Sequence, residues 1–176
     1  MLHLTNELFN EYVEAFQDVI LTNCRSSNRM VYFDVIYSYV KRKGNKSYIM
    51  THARLTKTVD INFTICFDDF YSVPVFHFRL KIDGVILFST DLISKANLVL
   101  GIKNVAGFTL EAHPLFDDTW FLVHPCEALS SIDNLLEPIE MQSLDSVVSY
   151  FVFWYNTFGL SSVIECLSIR TSQYSI

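Results

Sequence analysis

The chain has 176 residues, 51% of them hydrophobic and 15% aromatic, with 13 basic against 19 acidic side chains for a net charge of -6. That size suits a single domain spanning 1–176 with an unstapled apolar core, and the negative balance opposes attraction to nucleic acid or to an anionic lipid surface. The four cysteines, Cys24, Cys66, Cys126 and Cys166, form no C-x-x-C pair, which removes the common zinc and thioredoxin-like spacings and leaves free thiols as the expectation in a reducing compartment.

Leu4, Leu8, Tyr12, Ala15, Phe16, Val19 and Ile20 recur at helical spacing, and Thr5 or Asn6 can cap the start, so an amphipathic first helix is predicted. Glu7, Glu11 and Glu14 interrupt this segment, which is not the pattern of a secretory leader; a cytoplasmic address follows. Four strand-like runs come next: "NRMVYFDVIYSYVKR", "KSYIMTHARL", "TVDINFTICFDD" and "PVFHFRLKI". Their links are too short for parallel crossovers, so a four-stranded antiparallel meander is predicted. The basic cluster "KRKGNK", 41–46, reads as a solvated hairpin turn, and the sheet edge nearest it is a candidate for accepting a partner strand.

Asp83-Gly84 turns the chain into "VILF", and "STDLISKANLVLG" reads as a short helix capped by Ser89 or Thr90 and ending near Gly101. Residues 102–119 read as a loop that leads into a last strand, "WFLVHPC". The uncharged stretch 146–164 is nearly long enough to span a bilayer. It contains Asn156, Thr157, Gly159 and four serines and is flanked by Asp145 and Glu165, so it is read as a buried helix running into a turn, with no stable membrane insertion. The elements sum to an α+β fold in which helices lie against an antiparallel sheet.

Chemistry concentrates at the end of the last strand. Pro125 cannot donate a ladder hydrogen bond and holds His124 in extended geometry, so the chain leaves the sheet there and Cys126 falls at the start of a loop. Glu127 is adjacent and no Lys or Arg lies nearby, so nothing in the local sequence lowers the thiol pKa. A cysteine hydrolase needs a base, for which His113 and His124 are the candidates, and an orienting partner. A cysteine that receives an already activated acyl group needs far less, and the weak activation favours this carrier role. Two other readings stand on spacing alone: a half-buried structural thiol, and a metal set drawn from His113, His124, Cys126 and Asp117 or Asp118, which matches no familiar ligand spacing.

"HPLFDDTWFLVHPC", 113–126, resembles the signature of the autophagy ubiquitin-like-conjugating enzyme family, in its branch that joins a ubiquitin-like modifier to an acceptor protein. "YSVPVFHFRL" resembles that family's Tyr-x-Val-Pro-Val strand, and "SYFVFWYNTFGLSSVIECLS" its C-terminal helix and Gly-Leu turn. The lipid-conjugating relative shares His-Pro-Cys but usually carries an acidic flexible insertion, and none is visible here. The resemblance implies a shortened ubiquitin-conjugating-enzyme-like fold with an antiparallel sheet of four or slightly more strands. It implies Cys126 as the residue that takes the modifier's C-terminal glycine as a thioester from an activating enzyme, with a lysine of the acceptor protein attacking next and no metal or organic cofactor required.

Within that implication His124 and Pro125 shape the loop. Ordinary ubiquitin-conjugating enzymes carry an asparagine where Cys126 stands, so another donor must face the developing oxyanion. Tyr71, Asn62, Thr64 and backbone N–H groups near Cys126 are the candidates, one such donor being worth about 3 kcal/mol. Asp117 and Asp118 are candidates to orient or deprotonate the incoming lysine, or simply a solvated acidic loop. A non-enzymatic protein-binding module is the alternative of a different class.

Overall fold

Apolar alternation in four successive segments organises the chain. A computed structural model describes residues 4–90, 93, 100–102, 107–125 and 143–170. In it the four segments are strands β2 (Asp34–Lys43), β3 (Lys46–Arg54), β4 (Val59–Asp68) and β5 (Val73–Ile82), preceded by helix α1 (Asn6–Asn23) and strand β1 (Cys24–Ser26). Each of the four pairs antiparallel with the next, as the short links require. The β2–β3 hairpin turns at Gly44-Asn45, where Gly44 takes φ +64°, a conformation that costs glycine little.

The sheet extends beyond the meander. Strand β6 (Val85–Ile86) folds back on β5, and β7 (Phe108–Ala112) and β8 (Thr119–Val123) form a hairpin that joins the sheet through β8 and β5. The order is β2-β3-β4-β5-β8-β7 with β6 beside β5, seven strands among the described residues. Part of 102–119, read as loop from the sequence, is therefore strand. β7 escaped notice because only Phe108 of its five residues is buried, so the edge strand shows no apolar alternation. The short helix expected over 89–101 falls largely outside the described residues.

α1 starts where expected: Thr5 Oγ1 accepts from Leu8 N–H at 3.3 Å. Its buried stripe of Phe9, Val13, Phe16 and Ile20 lies on one face of the sheet. Helix α2 (Leu144–Phe158) opens with a capping box between Ser143 and Ser146 and stops at Gly159, where a Cβ would lie 2.8 Å from the Tyr155 carbonyl oxygen. Phe16 stacks on Phe151 with ring centroids 4.6 Å apart, and Phe9 meets Phe151 edge-on at 5.8 Å. Helix α3 (Leu160–Val163) follows, and strand β9 (Leu167–Ile169) pairs with β1 to close a separate two-stranded sheet. Among the described residues no helix is long and apolar enough to cross a membrane.

Candidate functional site

Strand alternation gives the sheet two different faces. Ile61, Phe63, Ile65, Phe76 and Phe78 point into the core under α1 and α2. The residues between them, including Asn62, Thr64, Cys66, Val75, His77 and Arg79, take the opposite face. There the β7–β8 loop folds back over the strands, and Leu115 joins Tyr48, Met50, Cys66 and Trp120 in a second apolar cluster with Phe116 packed against it.

Polar bonds tie that loop down. Arg79 donates from Nε to the Thr119 carbonyl at 2.8 Å and from Nη1 to Asp118 at 2.8 Å, and its guanidinium lies 4.6 Å from the centre of the Trp120 ring. Trp120 Nε1 donates to the other Asp118 oxygen at 2.6 Å, and Lys43 Nζ donates to the Leu115 carbonyl at 2.6 Å. Asp118 is thus an anchor of the loop, and Asp117 beside it is exposed.

His113 lies beneath the same loop. Its Nδ1 accepts from Leu115 N–H at 3.0 Å, which places the ring proton on Nε2, and Nε2 donates to Thr64 Oγ1 at 2.6 Å. Burial, assisted by the charges of Arg79 and Lys43 and by His77, lowers its pKa to about 3. With both nitrogens engaged, His113 offers neither a general base nor a metal ligand. Its neighbour His77, 4.4 Å away between ring centroids, is pushed down to about 4 by burial, against an opposing pull from Asp68. Among the described residues no group of three or more His, Cys, Asp or Glu is placed to hold a metal ion.

At the β4–β5 end of this face lies a cavity of about 220 Å³. Cys66, Val75, His77 and Leu122 reach it from β4, β5 and β8, and Tyr71, His124 and Pro125 line it where β8 ends. Tyr71 meets the His124 ring edge-on at 5.6 Å. The turn that carries Tyr71 is held by Asp68, whose Oδ1 accepts from the backbone N–H of Phe70 (2.8 Å) and of Tyr71 (3.0 Å), while Ser72 adopts φ 54° to complete the reversal. Lys46 closes the side of the turn through Asp69 at 2.9 Å.

The fold therefore brings together three of the residues singled out from the sequence, Tyr71, His124 and Pro125. Thr64 lies further along the face as the hydrogen-bond partner of His113, and Asn62 lies further still, between His52 and Arg79 in the strand register, outside the cavity lining. Cys126, the next residue after Pro125, lies outside the described residues. Of the other cysteines, Cys24 and Cys66 are buried and burial pushes both thiols up to about 12; Cys24 also makes a 3.7 Å contact with the Tyr155 hydroxyl. Neither forms a thiolate near neutral pH. His77 and Asp68 went unremarked in the sequence reading, although His77 stands between Phe76 and Phe78 in a strand whose alternation sends it to the opposite face.

Comparison with known proteins gives the same direction. The family described as "Autophagocytosis associated protein, active-site domain" matches residues 11–167. The ubiquitin-like-conjugating enzyme ATG10 of Candida albicans is 33% identical over 172 residues, covering 97% of this chain and 94% of that protein. The structure described as "Solution structures of KmAtg10" aligns over 92% of this chain and 99% of its own, with a TM-score of 0.55 and 19% identity, a likeness of fold.

Proposed function

Because the chain belongs to the autophagocytosis-associated active-site family and is a ubiquitin-like-conjugating enzyme of autophagy, we propose that Cys126 is its acyl-carrying residue within a single conjugating-enzyme-like domain, 1–176. The modifier's C-terminal glycine arrives as a thioester on an activating enzyme. The Cys126 sulfur attacks that carbonyl, the new C–S bond replaces the old one, and the activating enzyme leaves as a thiolate. A lysine amine of an acceptor protein then attacks the carbonyl, forming a C–N bond and releasing Cys126. The work is done in the cytoplasm on protein partners.

The observation that supports this reading is the delivery of His124 and Pro125 to a cavity at the end of β8, in a chain where burial pushes the Cys24 and Cys66 thiols up to about 12. A partner's glycine tail needs access, and the cavity beside His124 and Pro125 supports that. Because Tyr71 belongs to the cavity lining, its hydroxyl is the oxyanion donor we favour over Thr64, which is committed to His113, and over Asn62, which lies away from the cavity. The engagement of both His113 nitrogens speaks against a hydrolase using that base, since a carrier cysteine needs none.

Incubation with the activating enzyme, ATP and the modifier is expected to give an adduct that thiol reductant cleaves. Cys126→Ser converts it to a reductant-resistant oxyester, whereas Cys24→Ser and Cys166→Ser leave it cleavable. Normal charging of Cys126→Ala would refute the assignment.

A further inference from the structure

The cavity beside Tyr71, His124 and Pro125 has an electrostatic character that thioester formation alone does not call for. Its charged lining residues are Lys46, Asp68 and Glu111. Lys46 is engaged by Asp69 at 2.9 Å and by the Phe67 carbonyl at 3.3 Å, so its ammonium already has an acidic partner of its own. Asp68 uses only Oδ1 for the turn, and its second oxygen has no hydrogen-bond partner among the described residues. His77, 5% exposed, lines the same cavity with a buried Nδ1 that likewise has no partner among the described residues. Val75, Leu115 and Leu122 supply apolar lining.

An unspent carboxylate, an unsatisfied imidazole nitrogen and apolar walls fit one kind of occupant: a flexible alkyl stem ending in a cation rich in N–H donors. A lysine side chain has that chemistry, with three donors and no acceptor. The modifier's tail lacks it, because its terminal carboxylate becomes an uncharged acyl group on forming the thioester. We propose that Asp68 is a positioning residue of the transfer step, its free carboxylate oxygen holding the acceptor's lysine ammonium in this cavity next to the β8 terminus. The inference rests on the assignment of Cys126 as the thioester residue. The ammonium gives one proton to solvent to become a nucleophile; the amine nitrogen then bonds to the carbonyl carbon, the C–S bond breaks, and the second proton passes to the departing sulfur.

Asp68→Asn separates this role from the turn, because the amide oxygen still accepts the Phe70 and Tyr71 N–H groups while the charge is gone. The protein is charged with the modifier, activation is quenched, and single-turnover discharge is followed with free lysine and, separately, with hydroxylamine, which is uncharged at neutral pH. The expected result is charging at the wild-type rate, an apparent KM for lysine raised about tenfold with the saturating rate little changed, and no change toward hydroxylamine. High salt should shrink the difference between wild type and variant for lysine. Equal lysine kinetics in the two proteins would overturn the inference. So would an equal slowing toward both nucleophiles, which signals a disturbed turn, or a defect confined to charging, which signals that the cavity holds the modifier's tail. Failure of the wild-type protein to form any adduct on Cys126 would sink the underlying assignment as well, and mass analysis before discharge identifies that case separately.

Discussion

On the face of the sheet beneath α1 and α2, Phe63, Phe76 and Phe78 pack with Phe16 and Phe151 in continuous apolar contact. On the opposite face the same strands present Thr64, His77 and Arg79, and among the described residues the β7–β8 loop lies over them, held by Arg79, Asp118, Lys43 and Trp120. The first face is closed by rings that need no partner atoms. The second combines a small apolar cluster around Leu115 and Trp120 with directional bonds, and it holds the cavity beside Tyr71 and His124. Folding stability is therefore concentrated on one side of the sheet, while the other can offer polar groups to a partner, and the two respond differently to substitution and to pH.

Phe151→Ala tests the apolar side. It removes a fully buried ring that contacts Phe9, Phe16 and Tyr150 and is expected to cost about 3–5 kcal/mol of unfolding free energy, read from urea melts. A cost below about 1 kcal/mol would show that this packing is not what holds the helices on the sheet.

Acid tests the polar side. His77 and His113 have folded pKa values of about 4 and about 3, below the unfolded value near 6.5. The unfolded chain therefore binds protons first as the pH falls. Stability should decline from about pH 6.5 downward, by about 2 kcal/mol per histidine on reaching pH 5, and recover fully above pH 7. Urea melts at pH 7 and pH 5 measure the decline, and His77→Leu should reduce it by about half. A pH-independent melt would mean that these imidazoles ionise freely and that the polar face is open to water.

Arg79→Met sharpens the contrast by cutting the loop's main tether at roughly constant length. A loss of about 1–2 kcal/mol is expected, accompanied by faster amide exchange at Leu115 and Phe116 and unchanged protection in α1. The smallest effect on stability belongs to Tyr71→Phe. Its ring packing against His124 and Phe70 remains, so unfolding should shift by less than about 0.5 kcal/mol. Transfer from the charged enzyme should nevertheless slow by at least about tenfold if the hydroxyl faces the oxyanion.

The two faces also differed in how far the sequence disclosed them. The four-strand meander was legible because each run alternates strongly and its links leave no room for crossovers. The start of α1 at Thr5 or Asn6 followed from local capping chemistry, and the helix running into a Gly-Leu turn from the family resemblance. β7 was not legible: Thr109, Leu110, Glu111 and Ala112 are all exposed, and a strand that buries one side chain carries no periodic signal. β1 and β9, three residues each, are too short to show one. At the site, His124 and Pro125 were legible from the proline that ends the last strand and Tyr71 through motif resemblance, and the fold places them together. Asp118 and His113, candidates for chemistry in the sequence, are bonded to Arg79 and Trp120 and to Thr64, partners that no spacing along the chain reveals. Asp68 was overlooked for the converse reason: a turn aspartate looks like punctuation until the fold puts it in the lining of a cavity.

Intact-mass analysis of the protein after incubation with activating enzyme, ATP and modifier, followed by peptide mapping of the adduct, addresses the central claim most directly. The expected product is one modifier per chain, attached to the peptide containing Cys126 and lost on treatment with thiol reductant. Attachment to Cys166 instead, or an unshifted mass while the activating enzyme itself becomes charged, would contradict the account.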